Sequence, residues 1–133
     1  MRVIQKKILC VDDDVDDLSL LSDVIHDINP GYDVVELKNG LEAISYLNLA
    51  KANDELPCLI LLDLNMPFLD GKETLEKIRT ELDLKNLPVV VLTSGRNPND
   101  KALLKSKGVE MYTKPMSLGE LQGIVKEFLS LCG

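Results

Sequence analysis

Long apolar segments and an excess of basic charge are both missing from the chain. Uncharged apolar runs such as residues 59–62 are far shorter than the ~18 residues that span a bilayer, and the N-terminus has no signal-peptide core. The chain has 15 basic and 22 acidic residues, so its net charge is -7. An acidic protein repels nucleic-acid phosphates and anionic lipids. We therefore predict a cytoplasmic protein that binds neither nucleic acid nor membranes.

Cysteines with C-x-x-C spacing are also absent. The three cysteines are Cys10, Cys58 and Cys132, and their odd number leaves at least one unpaired in any intramolecular disulfide scheme. Reduced thiols are typical of cytosolic proteins. We therefore predict that these cysteines are reduced.

Internal repeats, low-complexity tracts and flexible linkers are missing as well. A length of 133 residues is typical of one compact domain. With 45% hydrophobic residues, the chain can fill a core of that size. We expect a single domain.

Five short segments have the pattern of β-strands. Residues 8–11, 59–62 and 89–92 show almost no polar alternation, which is typical of strands buried on both faces of a parallel sheet. Residues 33–37 and 109–113 are weaker candidates. The strands are separated by segments of helical length.

Apolar residues in these separating segments recur at three- and four-residue spacing, as an amphipathic helix requires. The four clearest stripes are Leu18, Leu21, Ile25 and Ile28; Leu41, Ile44 and Leu47; Leu75, Ile78 and Leu82; and Leu118, Leu121, Val125 and Phe128. A further short helix is predicted around residues 102–107, starting near Asn97 and Pro98 and ending at Gly108.

Helix start signals support these assignments. Asn39, Asp70 and Ser117 each stand three residues before a glutamate, so that cap and carboxylate can satisfy the first backbone amides. The result is five alternating strand–helix units, and right-handed crossovers then require a parallel sheet with helices on both faces. The sequence predicts a doubly wound α/β domain.

Chemically active residues follow the predicted strands. In such folds the ligand crevice lies beyond the carboxyl ends of the strands. Asp12 and Asp13 follow the first strand, Asp63 ends the third, Thr93 ends the fourth and Lys114 follows the fifth. We expect these side chains to meet at one edge of the sheet.

Three carboxylates at one edge repel one another by up to about 4 kcal/mol per pair at an effective dielectric constant of 20, so they favour a bound cation. Oxygen ligands suit a hard ion, and Mg²⁺ commonly shares its coordination sphere with a phosphate. The sequence therefore predicts a magnesium site with Lys114 beside it.

The motifs around these residues together resemble the receiver domain of bacterial two-component response regulators. They are Val11-Asp12-Asp13, Leu62-Asp63-Leu64-Asn65-Met66-Pro67 with Asp70-Gly71, Leu92-Thr93-Ser94, and Thr113-Lys114-Pro115. The resemblance covers essentially the whole chain. It implies a flavodoxin-like fold of five parallel strands in the order 2-1-3-4-5 with five helices, residues 1–133 forming one receiver domain without an output domain.

The resemblance also implies roles for individual residues. Asp63 matches the acceptor of a phosphoryl group from a histidine kinase's phosphohistidine. Asp12, Asp13 and Asp63, with the backbone carbonyl of Asn65, match the Mg²⁺ site. Thr93 and Lys114 match the hydroxyl and amine that contact the phosphoryl oxygens, and the Lys114–Pro115 bond is expected to be cis.

One position departs from the family pattern. The switch that accompanies phosphorylation couples the Thr93 position to an aromatic residue three places before the lysine, and that place holds Met111. Tyr112 follows it and should face the opposite side of the strand. Either Met111 takes the switch role, or a bulge in the strand swings Tyr112 across.

Several residues have simpler interpretations. Asp14, Asp16 and Asp17 are interpreted as a solvated helix start, since acidic side chains favour a helix N-terminus. His26 is expected to be a surface or packing residue. None of these four receives a chemical role.

Two other functions are compatible with part of this residue pattern. A Mg²⁺-dependent aspartyl-phosphate phosphatase of the haloacid-dehalogenase type would carry an aspartate two residues after its nucleophile, where this chain has Asn65, which cannot shuttle a proton. A pseudo-receiver would bind partners without being phosphorylated. The favoured function is a regulatory phosphoacceptor, not an enzyme, that catalyses only its own phosphorylation and slow dephosphorylation.

The resemblance also suggests partners. Upstream we expect a sensor histidine kinase or a phosphotransfer protein. Downstream we expect a protein target on the face formed by the fourth helix, fifth strand and fifth helix, or relay of the phosphoryl group. The protein itself is expected to be a monomer or a weak dimer.

Overall fold

The computed structural model describes residues 6–66, 68–94 and 98–132. Pro67 of the predicted motif and Asn97, the predicted helix start, lie outside these ranges. The elements run in the order β1 (Lys7–Val11), α1 (Val15–Ile28), β2 (Asp33–Leu37), α2 (Gly40–Ala52), β3 (Leu59–Leu62), α3 (Gly71–Arg79), β4 (Val89–Thr93), α4 (Pro98–Ser106), β5 (Glu110–Thr113), α5 (Leu118–Leu129) and a terminal 3₁₀ turn (Ser130–Cys132). All five predicted strands are confirmed to within a residue or so at each end.

The strands form one parallel sheet in the order β2-β1-β3-β4-β5. The predicted doubly wound α/β fold with strand order 2-1-3-4-5 is therefore confirmed. The central strands β1, β3 and β4 are almost wholly buried, which is why their sequences are continuously apolar and not alternating.

Alternation along the strands divides the core into two layers. Leu9, Val11, Ile60, Leu62 and Val91 pack on the side covered by α2, α3 and α4. The intervening strand residues point the other way and pack against α1 and α5. Burying both layers ties every helix to the sheet and holds the strand ends in place.

The predicted helix caps are present. The side chains of Asn39, Asp70 and Ser117 accept hydrogen bonds from the backbone amides of the glutamates three residues on, at 2.9–3.2 Å. The short fourth helix is also confirmed, and Gly108 after it has a φ of 73°, a left-handed conformation that glycine adopts without a steric penalty.

Two apolar residues of the predicted stripes are not in the core. Leu41 and Leu118 are about half exposed. Both lie in the first turn of their helix, and in α2 the inward side is instead formed by Gly40, Ala43 and Leu47. The spacing of these residues defines the buried face of α2.

The prediction of reduced cysteines is wrong for two of the three. Cys58 and Cys132 form a disulfide with a Cα–Cα distance of 5.0 Å, although 74 positions separate them in the sequence. Both cysteines lie in the core layer on the α1 and α5 side of the sheet, which brings the C-terminal turn to the start of β3. Cys10 is a free, buried cysteine, and burial raises the pKa of its thiol well above the ordinary value.

Within the described ranges, no helix is both long enough and apolar enough to cross a membrane.

Candidate functional site

The carboxyl ends of β1 and β3 place two aspartates side by side. The Asp12 amide donates to the Leu37 carbonyl at 3.0 Å, and the Asp63 amide donates to the Val11 carbonyl at 3.0 Å. These bonds extend the sheet ladder by one residue on each strand. Both side chains are consequently fixed at the edge of the sheet and nearly buried, Asp12 with 8% and Asp63 with 6% of its surface exposed.

A third carboxylate, that of Asp13, completes an acidic cluster. Asp12, Asp13 and Asp63 each offer an oxygen, and the three oxygens lie within 4.8 Å of one another. Asp13 is exposed while its two neighbours are buried. The convergence predicted from the sequence is therefore present, and the cluster is open to solvent on the side of Asp13.

Lys114 places its ammonium group against this cluster. Its backbone amide donates to the Thr93 carbonyl at 2.7 Å, which extends β5 alongside β4. Its Nζ lies 2.6 Å from Asp12 Oδ2 and 3.6 Å from Asp63 Oδ2. Burial disfavours the ammonium, but the hydrogen bonds to Asp12 and Asp17 and the nearby carboxylates outweigh it, so the pKa of Lys114 is raised above its ordinary value.

The pKa of Asp12 responds both to burial and to the neighbouring charges of the cluster. Burial is the largest effect and raises the pKa of Asp12 to about 6, with a smaller contribution from the charge of Asp63. Hydrogen bonds from Lys114 and from the Asp14 amide oppose the shift. Burial thus disfavours the ionised form of Asp12 even beside Lys114, and an added cation would favour that form.

Thr93 and Asn65 lie on the other side of Asp63. Thr93, the last residue of β4, is 1% exposed, and the Asn65 side-chain amide donates to its hydroxyl at 3.4 Å. The Asn65 backbone amide donates to Asp63 Oδ1 at 3.3 Å. Asp63 is therefore held between the Asn65 loop on one carboxylate oxygen and Lys114 near the other.

Gly71 allows α3 to begin directly beneath this loop. Its amide donates to the Leu64 carbonyl at 2.9 Å. A Cβ at Gly71 would lie 2.6 Å from the Cα of Leu64 and still closer to the carbonyl oxygen of Asp63. Glycine is required here because any side chain would displace the backbone that carries Asp63.

The interpretation of Asp17 as part of a solvated helix start is right in part, since the residue lies in the first turn of α1 and its side chain is 43% exposed, but it gave Asp17 no partner. Its Oδ2 lies 2.7 Å from Lys114 Nζ, so it pairs with the lysine from the first turn of α1. By contrast, Asp14 caps α1 by accepting from the amides of Asp16 and Asp17. Asp17 stands four residues, about one helical turn, before the buried Leu21 of α1, and this place beside the apolar stripe was the sequence signal for a side chain near the edge of the sheet.

Met111 and Tyr112 lie on opposite sides of β5. The ladder between β4 and β5 pairs Val91 with Met111 and Leu92 with Tyr112 in regular succession. Met111 packs with the core layer that contains Leu104 of α4. Tyr112 packs on the α1 and α5 side, where burial, followed by the nearby Glu127 of α5, raises its pKa.

The expected cis peptide bond at Lys114–Pro115 is not found. The described ranges contain no cis peptide bond. The lysine reaches the carboxylate cluster with this bond in the trans form.

Comparison with known proteins agrees with this geometry. The family model described as the response regulator receiver domain matches residues 8–126. The response regulator Rcp1 of Synechocystis sp. is 37% identical over 124 residues, an alignment that spans 91% of this chain and 84% of Rcp1. The polar-differentiation response regulator DivK of Brucella anthropi is 28% identical over 125 residues, spanning 93% and 96% of the two chains.

Solved structures give the same result. The phosphorylated cyanobacterial phytochrome response regulator RcpA superposes with a TM-score of 0.81 at 36% identity, covering 94% of this chain and 91% of that one. The Mn²⁺-bound form of Rcp1 superposes with a TM-score of 0.79 at 34% identity, covering 94% and 92%.

The fold and the acidic cluster define a phosphoacceptor signalling module, and the chain belongs to the response regulator receiver domain family. Within that family, it is similar to Rcp1 and DivK, two proteins that are themselves named response regulators. The phosphatase alternative is not favoured by these comparisons.

Proposed function

We propose that Asp63 accepts a phosphoryl group from the phosphohistidine of a sensor histidine kinase or a phosphotransfer protein. The observation that carries this proposal is the placement of a nearly buried carboxylate between an acidic pair and an ammonium group, with Lys114 Nζ 3.6 Å from Asp63 Oδ2. An aspartate that only capped the end of a strand would need neither the acidic pair nor the ammonium group beside it. In that arrangement Asp63 can act as the nucleophile.

The proposed transfer forms one bond and breaks one. An Asp63 carboxylate oxygen bonds to phosphorus, the bond between phosphorus and the histidine nitrogen breaks, and that nitrogen retains the electron pair and takes up a proton. Phosphoryl transfer depends mainly on positioning and on neutralising the phosphoryl oxygens. Lys114 would pair with one of these oxygens, and the Thr93 hydroxyl would donate to another.

The donor set fits a hard divalent cation. Asp12, Asp13 and Asp63 present carboxylate oxygens within 4.8 Å of one another, and such oxygens are preferred by Mg²⁺ and Mn²⁺. We propose that these three carboxylates and the Asn65 carbonyl hold Mg²⁺; the Mn²⁺-bound form of Rcp1 supports a divalent site. A bound Mg²⁺ would supply positive charge to the phosphoryl oxygens.

Phosphorylation would then shift a two-state equilibrium. We propose that the signal passes through β4 and β5 to the face of α4, β5 and α5, where a downstream protein binds, or that the phosphoryl group is relayed onward. In this proposal residues 1–133 act as one cytoplasmic receiver domain, a monomer or weak dimer, that catalyses only its own phosphorylation and slow dephosphorylation.

Intact-mass spectrometry after incubation with acetyl phosphate tests the proposal. The wild-type protein should gain a single, labile phosphoryl adduct that depends on Mg²⁺. The Asp63→Asn variant should gain none, while Asp23→Asn, a matched change at an exposed aspartate of α1, should behave as wild type. An equal adduct on Asp63→Asn would place the acceptor elsewhere, and no adduct on any protein would support the pseudo-receiver alternative.

A further inference from the structure

Lys114 is shared among more carboxylates than its proposed role requires. Among the described residues, three carboxylates lie within 4.0 Å of its Nζ, those of Asp12, Asp17 and Asp63. Two of them, Asp12 and Asp17, accept hydrogen bonds at 2.6 and 2.7 Å, while Asp63 lies 3.6 Å away. The ammonium group is thus held beside the acceptor carboxylate, at ion-pair distance but without a hydrogen bond to it.

Asp17 differs from the other two carboxylates in position. Asp12 and Asp63 stand at the ends of neighbouring strands, whereas Asp17 belongs to the first turn of α1. It is not part of the acidic cluster, which consists of Asp12, Asp13 and Asp63. Its side chain is 43% exposed while that of Lys114 is 18% exposed, so the pair lies at the rim of the site.

We propose that Asp17 is a positioning residue that holds Lys114 in its resting place and competes with the phosphoryl group on Asp63 for the ammonium. The inference rests on the phosphoryl-acceptor function proposed above. In the resting protein the Asp17 carboxylate draws Nζ toward α1. After phosphorylation the lysine turns to the phosphoryl oxygens and the bond to Asp17 is released.

This competition changes the free energy of the phosphorylated state relative to the resting state. An interaction present only in the resting state makes the phosphorylated state less favourable by the free energy of that interaction. Asp17 thereby sets a threshold for activation. Because the pair is partly exposed, the effect is modest, comparable to that of a surface ion pair.

The test uses beryllofluoride, a stable mimic of a phosphoryl group, in the presence of Mg²⁺. Asp17→Asn removes the charge and keeps the size of the side chain. We expect the apparent dissociation constant for beryllofluoride to fall about two- to fivefold. Asp17→Glu, which keeps a carboxylate within reach of the same lysine, should restore affinity toward that of the wild type.

Asp16→Asn is the matched control. It makes the same change of charge in the same turn of α1, but the Asp16 carboxylate is exposed and is not among the three around Lys114. If Asp16→Asn tightens binding as much as Asp17→Asn, the effect is general electrostatics and the proposal is wrong. An Asp17→Asn variant that binds as the wild type does, or more weakly, also overturns it.

The outcomes separate this inference from the function on which it rests. If neither the wild type nor Asp16→Asn binds beryllofluoride or accepts a phosphoryl group from acetyl phosphate, the acceptor function itself fails, and the proposal for Asp17 fails with it. If both proteins respond and Asp17→Asn matches them, the function stands and only the role of Asp17 is overturned.

Discussion

The Nζ of Lys114 lies 3.6 Å from Asp63 Oδ2, near enough for an ion pair but too far for a strong hydrogen bond. Lys114 directly follows β5 and Asp63 directly follows β3, and β4 lies between these two strands in the sheet. Lys114 is therefore a shared counter-charge for the carboxylates of Asp12, Asp17 and Asp63.

Lys114→Ala should destabilise the metal-free protein because it leaves the carboxylates of Asp12 and Asp63 without that counter-charge. We expect the free energy of unfolding to fall by about 1 to 3 kcal/mol, less than for a fully buried pair because the Lys114 side chain is itself partly exposed. Urea denaturation in the presence of a chelator measures the change. Added Mg²⁺ should stabilise the variant more than the wild type, and equal stabilisation of both would contradict this account.

Asp12 should make stability depend on pH in the acidic range. Burial raises its pKa from 3.8 to about 6, so between about pH 4 and 6 the folded state binds more protons than the unfolded state. The free energy of unfolding that this group contributes therefore falls as pH rises through that window, by an amount on the order of 1 to 3 kcal/mol.

Comparison with Asp12→Asn isolates this contribution. Without divalent cations, the stability of the variant relative to the wild type should increase from about pH 4 to about pH 7. Urea titrations across that range measure the difference. A difference that is constant with pH would show that Asp12 titrates alike in both states.

Gly71→Ala should damage the site and the fold together. The new Cβ would overlap the backbone of Asp63 and Leu64, and we expect a loss of about 1 to 3 kcal/mol in the free energy of unfolding, together with slower phosphorylation by acetyl phosphate. Gly123→Ala in α5 is the control, because a Cβ there meets no atom within 4 Å. That change should stabilise the protein by about 0.5 to 1 kcal/mol.

Breaking the Cys58–Cys132 disulfide should lower stability. The bond closes a loop with a sequence separation of 74, and cross-links of this kind typically contribute about 2 to 4 kcal/mol. Thermal or urea unfolding with and without a dithiol reductant measures the loss. The Cys132→Ser variant should be as unstable as the reduced wild type and should not respond to reductant; a wild type unaffected by complete reduction would refute the prediction.

Met111, not Tyr112, is expected to carry the conformational response, because it packs on the side of β5 that contains Leu104 of α4. Hydrogen exchange in α4 with and without beryllofluoride measures the response. Met111→Ala should lose most of it, whereas Tyr112→Ala should keep it. The opposite pattern would assign the switch to Tyr112 despite its position toward α5.

Much of the fold was predictable from the sequence because its signals are local. Continuous apolar runs mark strands buried on both faces, and Asn39, Asp70 and Ser117 mark helix starts through hydrogen bonds that span three residues. The first turns of α2 and α5 were less predictable, since whether Leu41 or Leu118 is covered depends on neighbouring elements and not on helical spacing.

The meeting of Asp12, Asp13 and Asp63 was also determined by the sequence, since parallel strands with right-handed crossovers must end at one edge of the sheet. Only the tertiary structure decided which acidic residue of α1 pairs with Lys114. Adjacent helical residues differ by about 100° in direction, so the rotation of α1 against β5 brings Asp17, and not Asp16, to the lysine. The same kind of packing joins Cys58 to Cys132, because contacts between distant segments follow from how helices seat on the sheet and leave no local pattern in the chain.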